Sequence, residues 1–176
     1  MGAQISATSM PPKTILVGLD GSAGSARALD WAIAMAKALD AEIVAVHVVQ
    51  LLSPSAVGLG LAPIEIPANW LDDLRGRFEN EWTAPLRQAG VRYRTIFETD
   101  AVAPAPTLLA VAKEVHPDLI VTGSRGLGGF GELLLGSVSH QLVLHAQLPV
   151  VVIPAERRPV AVAAQPVREL ANVAAP

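Results

Sequence analysis

The sequence predicts a single-domain α/β fold: a doubly wound, five-stranded parallel sheet with helices on both faces. Three observations carry this expectation. Five short apolar segments alternate with stretches of helical period, and such alternation implies right-handed crossovers between parallel strands. The second segment, Glu42 to Val49, is apolar nearly throughout, as a strand covered on both faces must be. The 176 residues, 51% of them hydrophobic, suffice for one sizeable core.

The first strand is Thr14-Ile15-Leu16-Val17-Gly18-Leu19, broken by Asp20-Gly21-Ser22. Helical spacing then sets Leu29, Ile33, Ala36 and Leu39 on one face, with Arg27, Asp30 and Lys37 elsewhere. A loop rich in Pro, Gly and Leu covers residues 51–67 after the second strand. The next helix carries Leu71, Leu74, Phe78 and Trp82 on one face, and Pro85 is expected to kink it or end it early. In the third strand, Val91 to Phe97, Arg92 and Arg94 alternate with apolar neighbours, the pattern of an edge strand with one wetter face. Pro104 and Pro106 suit the first turn of a third helix, where a missing N–H costs little; that helix carries Leu108, Val111, Ala112 and Val115. The fourth strand, Asp118 to Thr122, ends at a glycine cluster. A last helix, Val138 to Ala146, leads into the fifth strand, Val150 to Ile153, between Pro149 and Pro154.

The flanks differ in character. Residues 1–12, MGAQISATSMPP, lack the basic start and apolar middle of a signal peptide and read as a disordered leader. The domain is expected over 13–154. The tail, 155–176, is rich in Ala, Val and Pro without a sustained period and reads as poorly ordered or loosely docked. With no cysteine, disulfides, thiolate metal sites and cysteine nucleophiles are excluded, which fits a reducing cytoplasm. A net charge of −3 with thinly spread basic residues argues against nucleic acid as a partner. No run of about 18 uncharged apolar residues exists, so no membrane helix is expected. His140 and His145 do not share a helical face and His47 sits within a strand, so no metal site is expected.

The glycine cluster, GSRGLGGFGELLLGS from Gly123 to Ser137, holds the functional signal. Gly126 to Gly131 satisfies G-x-G-x-x-G literally, but a dinucleotide turn belongs after the first strand with an acid about 20 residues on. Here it follows the fourth strand. A P-loop fails too, because Lys13, Lys37 and Lys113 all lie outside the cluster. The spaced glycines fit better: Gly123, two residues, Gly126, nine residues, then Gly136-Ser137. Gly123 and Gly126 allow close approach of the backbone to a phosphate. Gly136-Ser137 opens a helix whose N–H groups and positive dipole end favour an anion, with Ser137 and Ser139 adding hydroxyls. Arg125 is the cluster's cation. Each part alone has a structural reading: Gly136-Ser137 as an N-cap, Gly123 as a strand exit, Asp20 as a turn residue.

This spacing resembles that of the universal stress protein family, in its ATP-binding branch. The likeness runs from Lys13 to Pro154 and includes ILVGLDGS, AVHVV, DLIVTGSRG, LLLGSVS and LPVVVIP. The resemblance implies strand order 3-2-1-4-5, a flavodoxin- or Rossmann-like sheet, with a crevice between the first and fourth strands. It also implies ATP, with Mg²⁺, as ligand. By position, Asp20 lies near the ribose and adenine, Gly18 and Leu19 line the adenine side, Val48 contacts the base and Thr122 lies beneath it. Gly123, Ser124, Arg125, Gly126, Leu127, Gly128, Gly129, Gly136, Ser137, Val138 and Ser139 form the phosphate side. The implied role is a cytoplasmic, nucleotide-dependent stress-response protein acting through conformation and partnering. The apolar last strand would be an aggregation-prone edge if bare, so a homodimer through Val150 to Ile153 is expected. Three alternatives stay open: a weak ATPase or phosphotransferase, a nucleotide-free interaction module, and a binder of cyclic AMP.

Overall fold

A computed structural model describes residues 11–50, 67, 69–99, 103–126 and 135–155. Residues 1–10 of the expected leader, 51–66 of the expected 51–67 loop, residues 127–134 and the tail beyond Ala155 lie outside the described residues. The elements are β1 (Thr14–Gly18), α1 (Ala23–Leu39), β2 (Glu42–Val48), α2 (Trp70–Arg77), a π-helical turn (Phe78–Trp82), α3 (Ala84–Ala89), β3 (Tyr93–Glu98), α4 (Pro104–Val115), β4 (Leu119–Gly123), α5 (Ser137–His145) and β5 (Val150–Ile153).

The strands form one five-stranded sheet in the order β3-β2-β1-β4-β5. Every neighbouring pair is parallel, with Leu16 opposite Val44 on one side and Ile120 on the other. Side chains alternate across each strand, so β1 feeds two cores. Ile15 and Val17 pack with Leu29 and Ile33 of α1, Phe78 of the π-turn and Leu86 of α3. Leu16 packs on the opposite face with Val46, Leu108 and Val111 of α4, and Leu142 of α5. Each fully buried side chain of this size contributes roughly 1.5–3 kcal/mol.

One element departs from expectation. In place of a continuous helix through Trp82, α2 ends at Arg77 and a π-turn follows, closed by the Thr83 N–H bonding back to the Phe78 carbonyl at 3.2 Å. Pro85 sits in the first turn of α3, where its missing N–H leaves no gap. The carbonyls at the break are recovered by side chains. Thr83 Oγ1 donates to the Glu79 carbonyl at 2.8 Å, and the Arg87 guanidinium donates to those of Glu79 and Asn80 at 2.6 and 2.8 Å.

β3 is an edge strand, with Arg94 exposed on its wetter face. β5 is the other edge, and all four of its residues are half-buried. The chain leaves β1 towards α1 on one face and β4 towards α5 on the other. The carboxyl ends of β1 and β4 therefore flank the point where the winding reverses, which in such sheets is where ligands bind.

Candidate functional site

At the β1 exit, the Leu19 N–H continues the sheet by donating to the Val46 carbonyl at 2.8 Å. The next residues turn sharply. The Asp20 N–H donates to Ser25 Oγ (3.3 Å), and Asp20 Oδ1 accepts from the Ser22 N–H (3.0 Å). Ser22 then caps α1, its hydroxyl accepting from the Ser25 N–H at 3.1 Å. Gly21 has φ +78°, in the left-handed region, and a Cβ there would strike the Trp82 indole.

The β4 exit packs backbone to backbone on the first turn of α1. A Cβ on Gly123 would lie 2.7 Å from the Gly24 carbonyl carbon and oxygen, and one on Gly24 would overlap the Arg125 carbonyl oxygen. A Cβ on Gly126 would overlap Asp20 Oδ2. These glycines thus bring the two exits together. Ser124 serves as the fastener: its N–H donates to the Ile153 carbonyl, its carbonyl accepts from the Gly136 N–H, and its hydroxyl accepts from the Ala155 N–H.

α5 begins at the same place. Its first helical bond runs from the His140 N–H to the Gly136 carbonyl at 2.9 Å, and no side chain among the described residues caps the helix. The amides of Ser137, Val138 and Ser139 therefore precede the bonded ladder at the positive end of the helix dipole. Ser137 is exposed, whereas Ser139 is buried and its hydroxyl donates inward to the carbonyls of Ser124 (3.2 Å) and Gly136 (3.0 Å).

Between these elements lies a cleft of about 490 Å³. Of the residues singled out from the sequence, Gly18, Leu19, Asp20, Val48, Thr122, Gly123, Arg125, Gly126, Gly136, Ser137, Val138 and Ser139 all line it. Ser124 does not line it, because its polar groups are spent on β5 and α5. Leu127, Gly128 and Gly129 lie outside the described residues. Sequence reasoning missed Ser25, Val46, Gln50, Pro104, Leu108 and Leu135, which also line the cleft. Three of these left a readable trace: Val46 shares a strand face with Val48, and Pro104 and Leu108 share a helix face. Gly18 is where α4 meets the floor, since a Cβ there would come within 3.3 Å of Leu108 Cδ1.

Behind the β1 exit, His47 is buried, and its Nδ1 lies 2.7 Å from the Leu19 carbonyl. Burial pushes its pKa below 6.5, against smaller opposing pulls from the Leu19 bond and the Asp20 charge.

A profile of the universal stress protein family matches residues 12–154. Universal stress protein YxiE of Bacillus subtilis is 35% identical over 149 residues, covering 79% of this chain and 97% of that protein. The chain belongs to the universal stress protein family. Among solved structures, UspA of Lactobacillus plantarum has the same fold, with a TM-score of 0.65 at 23% identity over 80% of this chain and 97% of that one. A universal stress protein solved in complex with cAMP matches with a TM-score of 0.57 at 27% identity, over 81% and 97% of the two chains.

Proposed function

We propose that the cleft binds an adenine nucleotide, ATP with Mg²⁺, and that the protein acts in stress response through nucleotide-dependent conformation and dimerisation. The observation that carries this reading is the start of α5, uncapped among the described residues, facing the β4 exit across one cleft. Amides at a helix start bind phosphate oxygens without needing lysine. Arg125 adds a cation to the lining, Asp20 stands where a ribose hydroxyl can be accepted, and Val46, Val48 and Leu108 offer an apolar seat for the base. Asp20 is the one carboxylate among the described lining residues. Mg²⁺ would therefore be held chiefly by phosphate oxygens and water, as is usual for this ion.

We read ATP as a ligand rather than a substrate. Phosphoryl transfer needs a positioned base and strong charge neutralisation, while Asp20 Oδ1 already accepts from the Ser22 amide. The family relative in complex with cAMP favours a second reading, a cleft tuned to the cyclic nucleotide. Denaturing the purified protein and identifying released nucleotide by chromatography tests the proposal, followed by calorimetric ranking of ATP, AMP, cAMP and NAD. Tightest binding of ATP, strengthened by Mg²⁺, is the expected result. A clear preference for cAMP selects the second reading.

A further inference from the structure

We propose that His47 is a positioning residue for the cleft: by donating Nδ1–H to the Leu19 carbonyl, it holds the β1–α1 turn from behind and sets Asp20 in place. The consequence for ligand affinity rests on the nucleotide reading above; the consequence for the turn does not.

A carbonyl only accepts, so the ring nitrogen 2.7 Å from Leu19 O must carry the hydrogen. Nε2 is then a bare lone pair. It is buried and has no hydrogen-bond partner among the described residues. Its surroundings are aromatic: Trp82 meets the imidazole edge-on with centroids 5.0 Å apart, Phe97 lies at 5.4 Å and Phe78 at 5.8 Å. A buried polar atom without a partner lowers stability, and an aliphatic side chain would fill this cage without that loss. The imidazole is therefore explained by its other nitrogen, the one that reaches the turn.

The turn is braced at two points. His47 holds Leu19, and the Trp82 indole lies flush against Gly21. Asp20 sits between them, with its carboxylate bonded to the Ser22 amide and abutting Gly126 on the cleft side. Among the described residues, the charged groups that reach the cage include Asp20 on the turn, and Arg75 and Arg77 of α2. Their guanidinium carbons lie 4.3 Å from the Phe97 ring and 5.7 Å from the Trp82 ring.

Two substitutions separate the donor from the volume. His47→Asn keeps an N–H at the Nδ1 position, whereas His47→Leu keeps bulk and loses the donor. Calorimetry with ATP should find the Asn variant close to wild type and the Leu variant about tenfold weaker, the worth of one hydrogen bond. Amide hydrogen exchange at Ser22, whose N–H Asp20 accepts, should accelerate by about the same factor in the Leu variant alone. A Leu variant that binds and exchanges like wild type overturns the proposal, as does an Asn variant as impaired as Leu. Should wild type take up no ATP, the nucleotide reading fails, and the Ser22 exchange rates decide the positioning role by themselves: acceleration in the Leu variant sustains it, equal rates overturn it. If the Leu variant does not fold, His47→Gln replaces it, because its amide nitrogen falls at the Nε2 position and cannot reach Leu19.

Discussion

Gly123 illustrates how a residue without a side chain can shape a cleft through its backbone. Its missing Cβ lets β4 lie on the backbone of Gly24 and Ser25, and none of the three atoms that a methyl would meet belongs to a flexible side chain. Gly123→Ala should therefore destabilise the protein by about 1–3 kcal/mol, the usual cost of overpacking, measured by urea unfolding. Gly76 is the control: it sits in α2, and a methyl added there would meet nothing within 4 Å. Gly76→Ala should stabilise by up to about 1 kcal/mol. His47 gives a prediction in pH. The unfolded chain takes up a proton as pH falls through about 6.5, while the folded protein resists until lower pH because burial disfavours the imidazolium. The contribution of neutral His47 is therefore whole above 6.5 and is lost as pH falls below it, at no more than about 1.4 kcal/mol per pH unit. His47→Asn, which does not titrate, should flatten this part of the stability curve. An undiminished slope in the variant would assign it to other groups.

Among the elements, the break between α2 and α3 depends on two side chains for its carbonyls. Arg87→Ala removes the donors to Glu79 and Asn80, and should lower stability by about 1–2 kcal/mol, read as a fall in melting temperature. An unchanged melting temperature would mean that water replaces the guanidinium fully. This break also marks where sequence reading stopped. The five strands, their flanking helices and the breaks at Asp20 and Gly123 were legible because hydrophobic period and turn residues are local signals. Pro85 was legible as an interruption, but not the π-turn before it, since a single wide turn leaves no period of its own. The strand order came through family resemblance. Nothing local marked Ser139 as bonding inward, or Gly123 and Gly24 as partners, for those contacts join segments far apart in the chain. Pro104 and Leu108 were legible as one helix face, but not as a wall of the cleft, because Leu108 meets Gly18 and Val48 only once the chain is folded.

At the scale of the whole molecule, two surfaces matter. β5 ends the sheet with Val150 to Ile153 half-buried and paired on one side to β4. A dimer formed through this edge, as proposed, would cover it. Light scattering should find two copies for wild type and one for Val152→Lys, with the fold retained by circular dichroism. A monomeric wild type, or a dimeric variant, would place the contact elsewhere or remove it. The central claim is that the start of α5 grips nucleotide phosphates, and Ser137→Glu tests it most directly. A carboxylate in the first helical turn suits the helix dipole, so the variant should melt no lower than wild type, yet it sets a negative charge where the phosphates must lie. Calorimetric titration with ATP should show one-to-one binding to the wild type, and binding at least about tenfold weaker to the stable variant. Equal affinity in the two proteins, or no heat from ATP, AMP or cAMP with wild type, would contradict the account.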